Sequence, residues 1–177
     1  MPIVAVTLPW SAPPRHGVSA MFRLLLAVGS FVLTLAVSIA VTRVLIGLVP
    51  ANPYARSPAL LIHLATAIPA IPLGAYVLLS KKGGARHKLL GKIWLGLMFL
   101  TACSTLWLRE VNDGNFSWIH LFTVLTFLGV PKAIITARKG DIKGHRKHLL
   151  GFFTGALLVA GVSAFAPGRL LWTWLLG

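Results

Sequence analysis

Five of the six histidines stand at places in the sequence that suggest shared chemistry. His63 and His120 are 57 residues apart (120 − 63), and His87 and His145 are 58 apart (145 − 87). His148 is three residues beyond His145 and shares its helix face, so either can be the second member of the His87 pair. Imidazole binds iron, copper and zinc well, and two histidines at one depth on alternate helices can ligate one haem iron. The spacing predicts cofactor ligands, with His63 and His120 as the pair on the iron.

The histidines belong to two copies of one sequence plan. Residues 63–91 and 120–151 both begin His-Leu-x-Thr, and both place a histidine shortly before Leu-Leu-Gly at their ends. Lys82-Gly83 and Lys139-Gly140 each begin 19 residues after the first histidine of their copy. Internal repetition indicates a repeated structural unit. We expect that unit to be a helical hairpin with a basic Lys-Gly loop.

The composition places these hairpins in a membrane. Hydrophobic residues make up 56% of the 177-residue chain, mean hydropathy is +0.83, and charged residues make up 11%. Soluble domains carry about 25% charged residues, and a chain of this size cannot bury so much apolar surface in water. The net charge of +14 lies in short loops beside apolar runs, which argues for lipid headgroups and against nucleic acid. The sequence predicts an all-α integral membrane protein.

The apolar runs predict five transmembrane helices. An irregular N-terminal tail over residues 1–20 precedes a first spanning helix over 21–48, because these residues lack the order of a cleaved signal peptide. A four-helix membrane bundle follows over 58–166, with one repeat at 58–108 and the other at 116–166. Its helices are expected at 58–80, 87–108, 116–137 and 145–165, and an interfacial C-terminal tail at 167–177.

Basic residues predict the orientation and one partner. By the positive-inside rule, the two Lys-Gly loops face the cytoplasm, which puts the N-terminus inside and the C-terminus outside a bacterial-type cytoplasmic membrane. Around these loops we expect contacts with anionic lipids, or with the propionates of a bound haem. The candidate residues for these contacts are Lys81, Lys82, Arg86, Lys92, Lys132, Arg138, Lys139 and Arg146.

The two histidine levels are not equivalent. His63 and His120 fall about 6–8 Å below the outer boundary at 1.5 Å per residue, inside the apolar layer. His87, His145 and His148 stand among lysines and arginines, so a cationic surface that contacts headgroups is the simpler interpretation there. The numerous glycines fit two interpretations as well, since they make room for a cofactor or let bare helices pack closely, as in Gly151-x-x-x-Gly155.

Several short motifs carry a resemblance to a known family. Ile119-His120, Gly144-His145-Arg146 and the closing run from Ala166 to Arg169 resemble an uncharacterised bacterial family of predicted membrane proteins, a domain of unknown function, over roughly residues 58–170. More distantly, the plan is similar to cytochrome b561, whose four-helix core holds two b haems. That resemblance implies haem b as cofactor, an outer haem on His63 with His120 and an inner haem on His87 with His145. It also implies transmembrane electron transfer from a quinol or another small reductant.

The sequence is compatible with three functions. A b-type, cytochrome-like electron carrier is the first, and a cofactor-free accessory subunit of a larger membrane complex is the second. The third, a transporter with helix breaks at Pro69, Pro72 and Pro131, has little support because almost no acidic residue lies within the spans. If the protein is an enzyme, we expect an oxidoreductase, because paired carboxylates, a P-loop and a dinucleotide fingerprint are absent from the sequence.

Overall fold

The computed structural model describes residues 19–49, 53–109 and 114–177 of the chain. Most of the predicted N-terminal tail, residues 1–18, lies outside the described residues. So do residues 50–52 and 110–113, which belong to the two predicted turns on the side opposite the basic loops. All regular secondary structure in the described part is helical.

The described helices follow the predicted order. They are α1 (Ala20–Leu45), α2 (Pro58–Leu79), α3 (Ala85–Thr105), α4 (His120–Arg138), α5 (Ile142–Phe152), α6 (Ala160–Ser163) and α7 (Leu170–Leu176). A π-helical segment, Phe153–Val159, joins α5 directly to α6, and a 3-10 turn, Pro53–Arg56, precedes α2.

Local sequence signals explain where several helices begin and end. The Ser57 hydroxyl accepts a hydrogen bond from the amide of Leu60, and Pro58 occupies the first helical turn of α2, where its missing N–H costs nothing. The two hairpin loops turn at Gly83 (φ +90°) and Gly140 (φ +72°), a backbone conformation that favours glycine. The two Lys-Gly pairs of the sequence repeat therefore make the same kind of turn.

Neighbouring helices pack in chain order. α2 packs on α3, α3 on α4 and α4 on α5, and the π-helical segment contacts α4, α1 and α2. α1 lies against α2 and α7 through one stripe of buried residues: Leu26, Ser30, Leu33, Val37 and Ala40. The other faces of α1 expose large apolar side chains such as Leu24 and Phe31, as a helix in lipid does.

The structure supports the prediction of membrane-spanning helices but does not establish their predicted number. Among the described helices, α1, α2 and α4 are long and apolar enough to cross a bilayer. α3 carries Arg86, Lys88 and Lys92 in its first eight residues, which lowers its hydropathy. The run that begins with α5 is divided by the π-helical segment and so contains no single long α-helix. The predicted count of five spans stays a prediction.

Two predicted boundaries differ from the structure in ways that affect the site. α4 begins at His120 instead of residue 116, because residues 114–119 form turns before the helix. The predicted tail over 167–177 contains α7, whose Leu171 and Trp174 are buried. Its packing on α1 places the end of the chain beside Arg43, which donates a 2.8 Å hydrogen bond to the Gly177 carbonyl.

Candidate functional site

A cavity of about 410 Å³ lies between the helices at the end where α2 and α4 begin. We call this the cavity end, and the opposite end, with the two Lys-Gly loops, the basic end. Every helix except α5 lines part of the cavity. Its lining is largely apolar and includes Val37, Leu60, Leu64, Ile68, Ile71, Met98, Phe122, Leu157, Ala160 and Leu171; its polar members are His63, Thr101, Thr105, Ser117, Thr123, Thr126, Arg169 and Thr173.

His63 is the imidazole of this cavity, and α3 holds it in place. Its Nδ1 lies 3.3 Å from the Ser104 hydroxyl and 3.2 Å from the Thr105 hydroxyl. Both hydroxyls donate their single proton to the Thr101 carbonyl, at 2.8 Å each.

These bonds favour one tautomer of His63. When Ser104 and Thr105 both donate to the Thr101 carbonyl, their oxygens are acceptors for Nδ1, and on this basis we assign the proton of the neutral imidazole to Nδ1. Nε2 then carries a lone pair, and it makes no hydrogen bond within the described part of the chain. His63 thus offers the cavity a hydrogen-bond acceptor.

His120, its partner in the sequence repeat, has a different role. Its Nδ1 lies 3.1 Å from the backbone amide of Ser117 and 3.2 Å from the Ser117 carbonyl. We assign Nδ1 as the acceptor from the amide, which leaves the proton on Nε2. Nε2 is buried without a partner among the described residues, and the ring packs edge-on against Phe116 with centroids 4.8 Å apart. His120 is 7% exposed and, within the described residues, does not line the cavity. It closes the turn that begins α4.

An aromatic cluster fills the bundle on the basic side of the cavity. The Trp94 ring lies 5.7 Å from Phe152 and 5.9 Å from Phe153 between centroids, and both Trp94 and Phe153 are fully buried. Gly74 and Gly129 admit these rings, since a Cβ on Gly74 would lie 2.7 Å from Phe153 and one on Gly129 would lie 3.1 Å from Phe152. The room that these two glycines leave is therefore occupied by aromatic side chains.

The residues as placed do not fit the haem arrangement that the sequence suggested. At the outer level, His63 lines the cavity, whereas His120 is 7% exposed and is not one of the described residues that line it. At the inner level, the aromatic cluster takes the space beside Gly74 and Gly129. Among the described residues, no group of three or more His, Cys, Asp or Glu is placed to hold a metal ion.

The inner histidines meet at the basic end. His87 and His145 lie close enough to interact electrostatically, and their predicted pairing as ligands of an inner haem stays a prediction. The His145 Nδ1 is 2.9 Å from the Ala133 carbonyl, so it donates there and ties α5 to α4. Nδ1 of His87 is buried without a partner among the described residues, and His148 is half-buried one turn beyond His145.

The predicted basic residues are spread over the surface, and only some of them converge. Arg86 stacks over the Tyr76 ring at 5.2 Å, and Arg146 is half-buried on α5. The remaining members of the predicted set are exposed: Lys81, Lys82, Lys92, Lys132, Arg138 and Lys139. Lys132 lies in the middle of α4, where its long stem can carry the ammonium towards the headgroups.

One cluster draws cations from three elements. Arg23 of α1 donates to the Leu79 carbonyl at 3.4 Å, and Lys82 donates to the Ser80 carbonyl at 3.2 Å, both at the end of α2. Partial burial lowers the pKa of Lys82, and the nearby positive charges of Arg146 and Arg23 lower it further. Arg23, Lys82 and Arg146 form the cation cluster of the basic end.

Sequence reasoning missed the hydroxyl groups around His63 and the contribution of α1. The repeat contained a signal for the first, because His-Leu-x-Thr places Thr66 and Thr123 three residues after the two histidines, and both threonines are buried. Thr123 lines the cavity, and the Thr66 hydroxyl lies 2.8 Å from the Thr101 hydroxyl. Arg23 had no such signal, because its position beside α2 depends on how α1 packs.

Helices with lipid-type apolar faces around a partly open cavity define this chain as an integral membrane protein. Its family agrees with that class. The chain belongs to the family described as predicted membrane protein (DUF2306), which matches residues 60–170 and so covers α2 to the start of α7. Comparison with curated proteins and with solved structures gives no significant match.

Proposed function

We propose that this protein binds a small membrane-soluble molecule in the cavity around His63. One observation supports the proposal above the rest: a largely apolar cavity of about 410 Å³ contains an imidazole that α3 orients with its Nε2 lone pair unused. Ligand sites are typically apolar cavities of roughly 300–1,000 Å³ with a few well-placed polar groups. The π-helical segment adds support, since Ala156 and Leu157 line the cavity and π-helical turns often occur at functional sites.

The architecture that accompanies this proposal has five spans. α1 to α4, and the continuous helix from α5 to α6, each cross the bilayer, with α2 to α5 and the π-helical segment arranged as a four-helix bundle. The basic end faces the cytoplasm of a bacterial-type membrane, and the cavity end faces outward. The distribution of lysine and arginine supports this orientation.

Anionic lipid headgroups are the partner that we propose for the basic end. Arg23, Lys82 and Arg146 bring three positive charges together, and their repulsion lowers the pKa of Lys82 in addition to the larger effect of its partial burial. A lipid phosphate placed among them would relieve that repulsion, and each Lys or Arg near an anionic surface contributes about 1 kcal/mol.

Filling the cavity tests the proposed binding function. Ala67 lines the cavity, whereas Ala65 lies two residues away on the exposed face of α2. We expect Ala67→Phe to abolish the thermal stabilisation given by lipid-soluble probes, and Ala65→Phe to retain it. Equal stabilisation of both variants would contradict the cavity as the binding site. The probes are a prenyl alcohol, a prenylated hydroquinone and a long-chain fatty acid, each added to purified protein in detergent.

The electron-carrier prediction uses the same cavity and has its own test. A haem on His63 would give purified protein a reduced-minus-oxidised absorption spectrum, and that spectrum would disappear in His63→Ala. A colourless preparation that still binds the lipid-soluble probes would support the binding function alone. The accessory-subunit alternative predicts the absence of probe binding, together with co-purification of a larger complex.

A further inference from the structure

The hydroxyl groups around His63 restrict what the cavity ligand can be. Thr101 donates to the Leu97 carbonyl at 2.9 Å, Thr105 to the Thr101 carbonyl at 2.8 Å and Thr126 to the Phe122 carbonyl at 2.8 Å. A hydroxyl has one proton, so these three groups present only lone pairs to the cavity. Thr123 differs, because its hydroxyl makes no hydrogen bond with the described part of the chain.

His63 adds the strongest acceptor to this lining. Its Nδ1 proton points to α3, and its Nε2 lone pair is left for a ligand. A ligand group that can only accept hydrogen bonds, such as an ether or a ketone, would leave that lone pair unpaired in an apolar site, which is unfavourable. A hydroxyl group satisfies it.

We infer that the cavity ligand is an apolar molecule that ends in a hydroxyl group and donates that proton to Nε2 of His63. This inference rests on the proposed binding function and specifies its ligand. A membrane offers this chemistry in two forms, prenyl alcohols and hydroquinones, and both have an apolar body suited to the lining formed by Ile68, Met98 and Leu157.

Arg169 offers the cavity a partner for a different kind of ligand, one with an anionic head. It lines the same cavity and lies over the Trp118 ring, 5.8 Å from the centroid. An anionic head, such as the carboxylate of a fatty acid, would pair with this guanidinium and would not need His63. Dependence on His63 or on Arg169 therefore separates a hydroxyl ligand from an acid.

The experiment compares ligands that differ in one proton donor. Binding of a prenylated hydroquinone, its dimethyl ether, a prenyl alcohol and the methyl ether of that alcohol is measured by thermal shift and by titration calorimetry on the full-length protein in detergent. We expect each hydroxyl compound to bind about tenfold more tightly than its ether, because the ether leaves Nε2 unpaired. Whichever hydroxyl compound binds more tightly indicates whether the cavity takes a prenyl alcohol or a hydroquinone.

Variants test whether His63 is responsible for that preference. In His63→Phe the tenfold difference between hydroxyl compound and ether should vanish, while in Arg169→Gln it should persist. His120→Phe is the matched control from the repeat, and it should keep the difference even where it lowers stability. The comparison of hydroxyl compounds with ethers on the unmodified chain remains decisive if His63→Phe does not fold.

The outcomes distinguish a failure of the hydroxyl-ligand inference from a failure of the proposed binding function. Equal binding of hydroxyl compounds and ethers, blocked by Ala67→Phe, would overturn the hydroxyl ligand and leave the binding cavity standing. Binding of the fatty acid alone, lost in Arg169→Gln, would also overturn it. If none of the probes binds, the proposed binding function itself fails.

Discussion

His63 and His120 are assigned protons on opposite nitrogens because different groups surround their Nδ1 atoms. Nδ1 of His63 faces two hydroxyls that each also lie 2.8 Å from a carbonyl, which favours donation by that nitrogen. Nδ1 of His120 lies 3.1 Å from the Ser117 N–H, which favours acceptance by that nitrogen. The first arrangement leaves a lone pair for a ligand, and the second uses the imidazole to close a turn.

Lys82 provides a prediction at the scale of one residue. Its pKa is lowered in the folded protein by burial and by the charges of Arg146 and Arg23, so the folded state binds protons less readily than the unfolded state. Stability should therefore rise with pH between the lowered pKa and about 10.5, its value in an unfolded chain. Lys82→Gln removes this contribution. In zwitterionic detergent it should be more stable than wild type at pH 8, by less than about 1 kcal/mol, with a gap that closes by pH 10.5.

Thermal unfolding from pH 8 to 10.5 measures the effect, in a range where the nearby imidazole of His87 is already neutral. Lys88→Gln, on an exposed position of the next helix, serves as the control and should show no such trend. Phosphatidylglycerol should reverse the sign, because wild type then gains a phosphate partner that the variant lacks. A stability gap that is constant with pH would argue against repulsion within the cation cluster.

At the scale of the elements, the aromatic cluster sets the spacing between helices. Gly74 lets α2 approach Trp94 of α3, and an added Cβ there would lie 2.5 Å from the indole nitrogen. We expect Gly74→Ala to lower the free energy of unfolding by about 1–3 kcal/mol, since rigid buried rings cannot move away cheaply. Denaturant titration in mixed micelles provides the measurement.

Gly151→Ala is the matched control for that prediction. A Cβ on Gly151 would meet nothing within 4 Å, although this glycine also lies in a helix. Its replacement should be neutral or slightly stabilising, because alanine is the better helix former by about 1 kcal/mol. Equal losses in the two variants would contradict contact with the rings as the source of the cost, because a Cβ on Gly151 has no such contact.

The helices and their hairpin loops could be predicted from the sequence, because apolar runs and Lys-Gly pairs are local signals. The π-helical segment could not, since Phe153–Val159 has the sequence of an ordinary apolar helix and its wider backbone turn appears only in the structure. His63 was predicted as a candidate from its depth. Its tautomer was beyond prediction, because it depends on Ser104 and Thr105 reaching it from another helix.

At the scale of the whole molecule, the two ends of the protein are chemically separate. The cavity end holds hydroxyls, one oriented imidazole and the Arg169 guanidinium, and the basic end gathers the cations of Arg23, Lys82 and Arg146. The fully buried rings of Trp94 and Phe153 lie between them. A ligand bound at His63 would therefore reach the site through the cavity end or from the lipid, and not through the basic end.

The number of membrane spans determines whether the cavity end and the basic end face opposite sides of the bilayer, as proposed. With five spans, α2, α3 and α4 lie between Arg56 and Lys139, so these two exposed residues face opposite sides of the bilayer. If only α1, α2 and α4 cross, two spans separate them and they share a side. In a Cys103→Ser background, an impermeant maleimide applied to intact cells should label Arg56→Cys, and should label Lys139→Cys only after permeabilisation. Labelling of both in intact cells would leave three spans, and the opposite pattern would invert the protein and place its cation cluster away from the cytoplasmic lipids.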